Sequence, residues 1–199
     1  MEINLSIFSA VAVLLSWAAF AGVVISRRLR SSSSDASAAT AKRPWVGFTL
    51  QGVSMAIAFF FPRLPLLSPV IGGVMEAFFL ISAVILAVAS VWFAAAAIRE
   101  LGKQWSLQAR LLVGHKLITS GAYQVTRHPI YTAMLGMIIA TGVVYSHPIA
   151  AVAAVVVFLI ATRIRTNEEE ALLKGAFAEE FAEWKARVPW LVPFTKLSR

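Results

Sequence analysis

Four side chains in the second half of the chain have the types and spacing to do chemistry. Arg127 and His128 stand immediately before Pro129, and Arg165 and Glu169 lie four residues apart. Proline is favoured at the first position of a helix, where its missing N–H costs nothing. Arg127 and His128 are therefore expected at a helix N-terminus, whose unbonded N–H groups and positive dipole end suit an anion such as the carboxylate of a small zwitterionic cofactor. The same residues equally suit an interfacial loop whose bases hold lipid headgroups. Arg165 and Glu169 share a face if helical. As a plain surface ion pair they would contribute at most ~1 kcal/mol. The run Glu168-Glu169-Glu170, however, sits beside the most basic end of the chain and offers acceptors to a cationic or hydroxyl-bearing ligand. Together the two elements make a site for a molecule carrying both charges.

The elements that must position these groups are membrane spans. Of 199 residues, 59% are hydrophobic and 14% charged, with mean hydropathy +0.76. A soluble domain carries roughly a quarter charged residues, so the chain is expected to be embedded in a membrane. The absence of cysteine excludes disulfides, thiolate metal sites and cysteine nucleophiles. Three dispersed histidines, at 115, 128 and 147, argue against a metal. The net charge of +8 lies beside apolar spans, which points to topology and anionic-lipid contact and away from nucleic acid.

Five spans are expected: Ile3 to Ser26, stopped by Arg27, Arg28 and Arg30; Trp45 to Phe61, ended by Pro62, Pro65 and Pro69; Val70 to Ile98; and the hairpin Pro129 to Tyr145 and Pro148 to Ile164. Ser31 to Thr40 reads as a flexible linker within the basic 27–43 segment. Glu76 near the start of the third span is read as an acid that reaches the interface, and His147 as a turn residue. Asn167 followed by Glu170 has the spacing of a capping box, so a fresh helix is expected there. Its apolar face would be Leu173, Phe177, Phe181, Trp184 and Val188, packed on the membrane surface or over the polar connection 99–128. The fold class is thus an all-α integral membrane protein, with residues 1–98 as membrane helices and 99–199 as a functional core. Of 18 Lys and Arg, five lie in 27–43, five in 99–127 and seven in 163–199, with Arg63 alone on the other side. The positive-inside rule then puts the N-terminus outside and the polar connection in the cytoplasm. The short hairpin brings 99–131 and 165–170 together on that face.

Arg127-His-Pro-Ile-Tyr131, preceded by His115-Lys-Leu-Ile-Thr-Ser-Gly-Ala-Tyr123, resembles the isoprenylcysteine carboxyl methyltransferase family. Arg165-x-x-x-Glu169-Glu170, Phe177-x-Glu-Glu-Phe181 and Val188-Pro…Pro193-Phe194 resemble that family's C-terminal signature. The likeness covers residues 99–195, and in length it is similar to a short, prokaryotic-type member. It implies an integral membrane methyltransferase that uses S-adenosylmethionine without a Rossmann domain. It also implies that Gln108, His115, Lys116, Leu117, Ile118, Tyr123, His128, Pro129, Ile130 and Tyr131 hold the cofactor. Glu169 would complete that pocket, and Arg165 would face the methyl acceptor, with these two as the catalytic pair. The acceptor would be a carboxylate on a lipid-like or isoprenylated cysteine substrate, and the active site would lie on the cytoplasmic face of a plasma or inner membrane.

Three rivals remain at this stage. A phospholipid N-methyltransferase would present an amine where the carboxylate goes, and an arginine at 165 favours the acid. A sterol-reductase-like enzyme shares an Arg-His-Pro but resembles a longer architecture. A non-enzymatic adaptor or small transporter would place polar groups opposite one another inside the spans, where only Glu76 approaches such depth.

Overall fold

The computed structural model describes residues 2–30, 37–40, 44–62, 73–106, 110–112, 114, 116–193 and 195. Six helices carry the fold: α1 (Glu2–Arg30), α2 (Pro44–Phe60), α3 (Gly73–Leu101), the one-turn α4 (Ala122–Val125), α5 (Pro129–Val144) and α6 (Pro148–Arg187). Three stretches are long and apolar enough to cross a membrane, namely Leu5–Leu29, Gly73–Gln104 and Pro148–Arg187; Trp45–Phe60 and Pro129–Val144 are apolar but shorter. Large apolar side chains such as Phe8, Leu15, Phe78, Ile85, Trp92 and Val152 face outward. An outward apolar surface of this extent belongs against lipid, and the protein is an integral membrane protein.

The helices pack through small residues. Ala83, Ala87 and Ala94 of α3 meet Ala133, Met137 and Ala140 of α5, with Val13 and Phe20 of α1 closing the cluster. Small side chains let backbones approach, the usual way to pack helices where lipid removes the hydrophobic drive. A second cluster joins Ala58 of α2, Tyr131, Leu135 and Ile138 of α5, and Ala154 and Phe158 of α6. α2 runs antiparallel to α6. His147 N–H donates to the Phe61 carbonyl at one end, Ser54 Oγ donates to the Ala154 carbonyl midway, and Gly47 faces Ala161 and Arg165 at the other. A Cβ on Gly47 would run into the Arg165 side chain, so only glycine permits this approach.

The structure corrects three expectations. Arg27 and Arg28 do not stop α1 but form its last turn, through Arg30, where cations complement the helix dipole. Part of the expected linker is ordered: Ser37–Thr40 (β1) pairs antiparallel with Arg110–Leu112 (β2), while residues 31–36 lie outside the described residues. Third, no helix begins at Asn167. α6 runs uninterrupted from Pro148 past Glu170 and breaks at Ala178, which has φ 35° and ψ −102°. A capping box needs a cap residue out of helical geometry. Here no glycine or proline interrupts 149–174, so Asn167 and Glu170 are simply helix neighbours.

The break at Ala178 turns the chain back on itself. Lys185 Nζ lies 2.7 Å from Glu170 Oε2, although fifteen residues of straight helix would separate them by about 22 Å. The returning turn buries Phe181, Trp184 and Val188 against Ala97 of α3 and Ala122 and Tyr123 of α4, with Leu173 and Phe177 packed beside them. The apolar face read from the sequence is therefore present, and it covers the polar connection.

Candidate functional site

The site is assembled where the α5 N-terminus, the middle of α6, the connection after α3 and the start of α2 meet. In the connection, Lys116 N–H donates to Gln104 Oε1, folding the segment over itself. Gly121 (φ 56°) makes the sharp turn into α4 directly over the Glu100 carboxylate, where a Cβ would collide. Ser120 Oγ donates to the same carboxylate at 3.3 Å. Tyr123 is buried beyond that turn, and its carbonyl accepts the Trp184 indole N–H at 3.2 Å. Burial, with the nearby charges of Glu169 and Glu100, pushes the Tyr123 phenol well above its ordinary value, so it stays neutral.

His128 caps α5, and Pro129 occupies the first helical position, as the sequence predicts. This start is strapped down by the segment after α6. Arg127 N–H donates to the Pro189 carbonyl (2.9 Å), Thr126 Oγ1 to the Trp190 carbonyl (3.0 Å) and Thr132 Oγ1 to the Leu191 carbonyl (2.6 Å). Trp190 Nε1 in turn donates to Thr166 Oγ1 on α6 at 2.9 Å.

Two carboxylates organise the charges. Glu170, buried, lies 2.8 Å from Arg127 Nη1, 3.1 Å from His128 Nε2 and 2.7 Å from Lys185 Nζ. The Arg127 contact is one of charge without hydrogen-bond alignment, and Arg127 Nε, also buried, has no hydrogen-bond partner among the described residues. Glu169 accepts a hydrogen bond from the Tyr131 hydroxyl at 2.5 Å and lies 3.6 Å from His128 Nδ1 and 3.9 Å from Arg165 Nη2. Burial works against a charged His128, but the carboxylates of Glu169 and Glu170 on either side outweigh it and hold its pKa above the ordinary value. Arg165 donates through Nε to the Tyr131 hydroxyl at 2.8 Å and lies between the rings of Phe48 and Tyr131, 5.6 and 5.5 Å from their centroids. The Arg165–Glu169 pairing read from the sequence is thus present.

These groups line one cavity of about 290 Å³. Its polar half holds Gln104, Lys116, Arg127, His128 and Glu169; its apolar half holds Phe20 and Val24 of α1, Phe48 of α2 and Met134 of α5. Lys116, Leu117, Ile118, Tyr123, His128, Pro129, Ile130, Tyr131, Arg165 and Glu169 all border it. Gln108 and His115 lie outside the described residues. The sequence reading missed Gln104, Trp105, Gln51 and Trp184 as lining residues and Glu170 as the hub behind them. Gln51 carried a usable signal as the lone amide in the apolar run of α2.

Residues 81–174 match the model of the isoprenylcysteine carboxyl methyltransferase (ICMT) family. The chain is 41% identical over 80 residues to "Protein-S-isoprenylcysteine O-methyltransferase B" of Arabidopsis thaliana, covering 40% of this chain and 41% of that one. It is 42% identical over 82 residues to "Protein-S-isoprenylcysteine O-methyltransferase" of Homo sapiens, covering 41% of this chain and 29% of that one. The mouse protein of the same name is 40% identical over 82 residues, 41% of this chain and 29% of its own. The chain thus spans less than half the length of these curated relatives.

Proposed function

We propose that this chain, with an ICMT-family segment at its centre, is a membrane methyltransferase that uses S-adenosylmethionine to esterify the carboxylate of an isoprenylated cysteine or a similar lipid-like acid. One observation carries the reading: a single cavity has a charged half at the α5 N-terminus, an apolar half between α1, α2 and α5, and Arg165 bordering it together with both. A small zwitterionic donor suits the first half, and an acid with a long apolar tail suits the second.

The residues fit such a donor. The orphaned Arg127 Nε and the first-turn N–H groups of α5 would hold a carboxylate. Glu169 would face an ammonium or sulfonium, and Leu117, Ile118 and Tyr123 would wall an adenine. When bound, the cofactor supplies an electrophilic methyl group on a positively charged sulfur. Arg165 is held by the Tyr131 hydroxyl and the flanking rings, so its planar fork is already oriented to grip an acceptor carboxylate. That carboxylate is ionised at neutral pH and needs no base. The chain's task is then to align the two groups and keep water out, which Trp184 and the returned end of α6 accomplish by covering the polar half.

On the same reading the chain crosses the membrane five times, α2 and α5 included. Residues 1–98 supply the membrane walls and 99–199 the methyltransferase core. The N-terminus lies outside and the cavity opens to the cytoplasm, at a plasma or inner membrane in a prokaryotic cell. Cysteines placed at Ser34, Gln104 and Ser198 should all be shielded from an impermeant reagent in intact cells; labelling at Gln104 from outside refutes the orientation. The activity itself is tested on purified protein. S-adenosylhomocysteine should bind in a calorimetric titration where NADPH does not, and labelled methyl should pass to an S-farnesylated cysteine as a base-labile ester. Transfer to a lipid amine instead would identify an N-methyltransferase.

A further inference from the structure

At the far end of α5 from the cavity, an apolar hollow of about 410 Å³ opens toward lipid between α3 and α6. Both helices pack on α5, and the hollow lies over it. α3 runs against α5, with Ser90 at Gly136 and the first turn of α3 near the α5 C-terminus. Leu80 and Ile138 form the buried floor, and Phe79, Ile139, Val152 and Val156 form the exposed sides. A Cβ on Gly142 would stand 2.9 Å from the Ala151 Cβ, so α5 and α6 meet closely at this place. From Pro148 to Val156 the hollow follows α6 for about 12 Å, close to the depth of one lipid leaflet at about 15 Å. Among the described residues that line it, Glu76 alone is charged. Glu76 is 5% exposed and stands in the first turn of α3, where the positive end of the helix dipole favours a carboxylate. Phe79 and Leu80, three and four residues on, line the same hollow, so Glu76 belongs to the helix face that borders it. Ser146, the other polar residue of the lining, donates its hydroxyl to the Ala58 carbonyl at 2.7 Å.

We infer that this hollow binds one membrane phospholipid with a primary ammonium head, phosphatidylethanolamine, its ammonium on Glu76 and an acyl chain along Phe79, Ile139 and Val152. Bilayer lipid bathes this face, and charge complementarity chooses among its heads. An ammonium brings a positive charge and three N–H donors in a compact group. A choline head has the charge but no donor, and a glycerol head presents a net negative lipid to a carboxylate. A carboxylate accepts about four hydrogen bonds, so a contact made within the chain leaves room for an ammonium. An acid is costly to hold against hydrocarbon, and a cation carried by the lipid itself offsets that cost. The bound lipid bridges α3 and α6 across α5. The 16 residues of α5, about 24 Å, separate this site from the cavity, and it does not depend on the proposed methyl transfer.

The test is thermal unfolding of the delipidated protein in detergent, titrated with phosphatidylethanolamine, phosphatidylcholine and phosphatidylglycerol of one acyl composition. Phosphatidylethanolamine should raise the midpoint by about 5 °C at saturation, and the other two by less than about half as much. Glu76→Gln keeps the shape and removes the charge, so the three lipids should then act alike. Val152→Trp and, independently, Val156→Phe fill the hollow from its exposed sides, and the response to phosphatidylethanolamine should be lost in both. Equal shifts by the three lipids in the wild-type protein overturn the inference, as does a preference that survives in the filled variants or in a folded Glu76→Gln. If Glu76→Gln does not fold, the filled variants decide. Glycerophosphoethanolamine, the same head without chains, should give no shift; a shift equal to the lipid's assigns the site to a soluble amine and overturns the inference.

Discussion

The two halves of the cavity are built in opposite ways. Around the α5 N-terminus nearly every polar group is tied. Arg127, Thr126 and Thr132 are bonded to the 189–191 strap, Glu170 gathers three cations, and Glu169 is fixed by Tyr131. The half between α1, α2 and α5 is shaped by Phe20, Val24, Phe48 and Met134, with Gln51 as its amide. Preorganised charges suit a donor that is always the same molecule, whereas apolar walls suit a tail held by area and not by direction. Donor recognition should therefore fail sharply when one tie is cut, and acceptor recognition should shift by degrees.

The largest expected effect breaks the tied half. Glu170→Ala leaves Arg127 buried without its counter-charge and His128 with Glu169 alone. It should destabilise the protein by about 3 kcal/mol, at the low end for a broken buried pair because Lys185 is half exposed. Thermal unfolding in detergent reads this directly; a midpoint unchanged from the wild type would mean that Glu170 is no hub.

Next, Glu169→Gln keeps a hydrogen-bond acceptor for Tyr131 but removes the negative charge lining the cavity. S-adenosylmethionine binding should weaken by ~1.5–3 kcal/mol, the scale of a hydrogen bond to a charged group. Titration of a folded variant with unaltered affinity would put the cofactor's positive groups elsewhere.

Arg165→Lys sharpens the boundary between the halves. The charge remains, but the planar fork gripped by Tyr131 and Phe48 is lost. Transfer should slow on the order of ten- to a hundredfold, equivalent to ~1.4–2.7 kcal/mol, with little change in cofactor affinity. Loss of cofactor binding together with turnover would assign Arg165 to the donor side.

The smallest effect is a dependence on pH. Because the folded-state pKa of His128 is raised, its ionic contribution is fully present below the unfolded value and is lost as pH rises through the folded one. Thermal stability should therefore decline on the alkaline side of pH 6.5. His128→Gln should flatten that part of the profile, and a slope that persists in the variant must come from another group.

Much of the tied half was legible because its signals are local. Pro129 marks a helix start by its own chemistry, the Arg165–Glu169 spacing is a helical turn, and the apolar residues 173–188 repeat at helical intervals. The break at Ala178 was not legible. Alanine has no sequence preference for a positive φ, and the conformation is imposed by the burial of Phe181 and Trp184 beyond it. The β1–β2 pairing joins short segments about seventy residues apart with weak strand signals. The role of Glu170 as the hub for Arg127 and His128 was not legible, because no spacing rule links residue 170 to residues 127 and 128.

The reversal at Ala178 also has a consequence for how the protein is made. During synthesis α1 to α5 and most of α6 can enter the membrane before residues 181–191 leave the ribosome. Those late residues bury Tyr123 and tie down the start of α5. A nascent chain arrested near Gly175 would thus be a correctly inserted membrane protein without a closed cavity. Ribosome-bound chains of graded length should gain S-adenosylhomocysteine binding abruptly once Leu191 has emerged. Membrane insertion and closure of the cavity are then two separate events in the making of this protein, timed by residues 181–191.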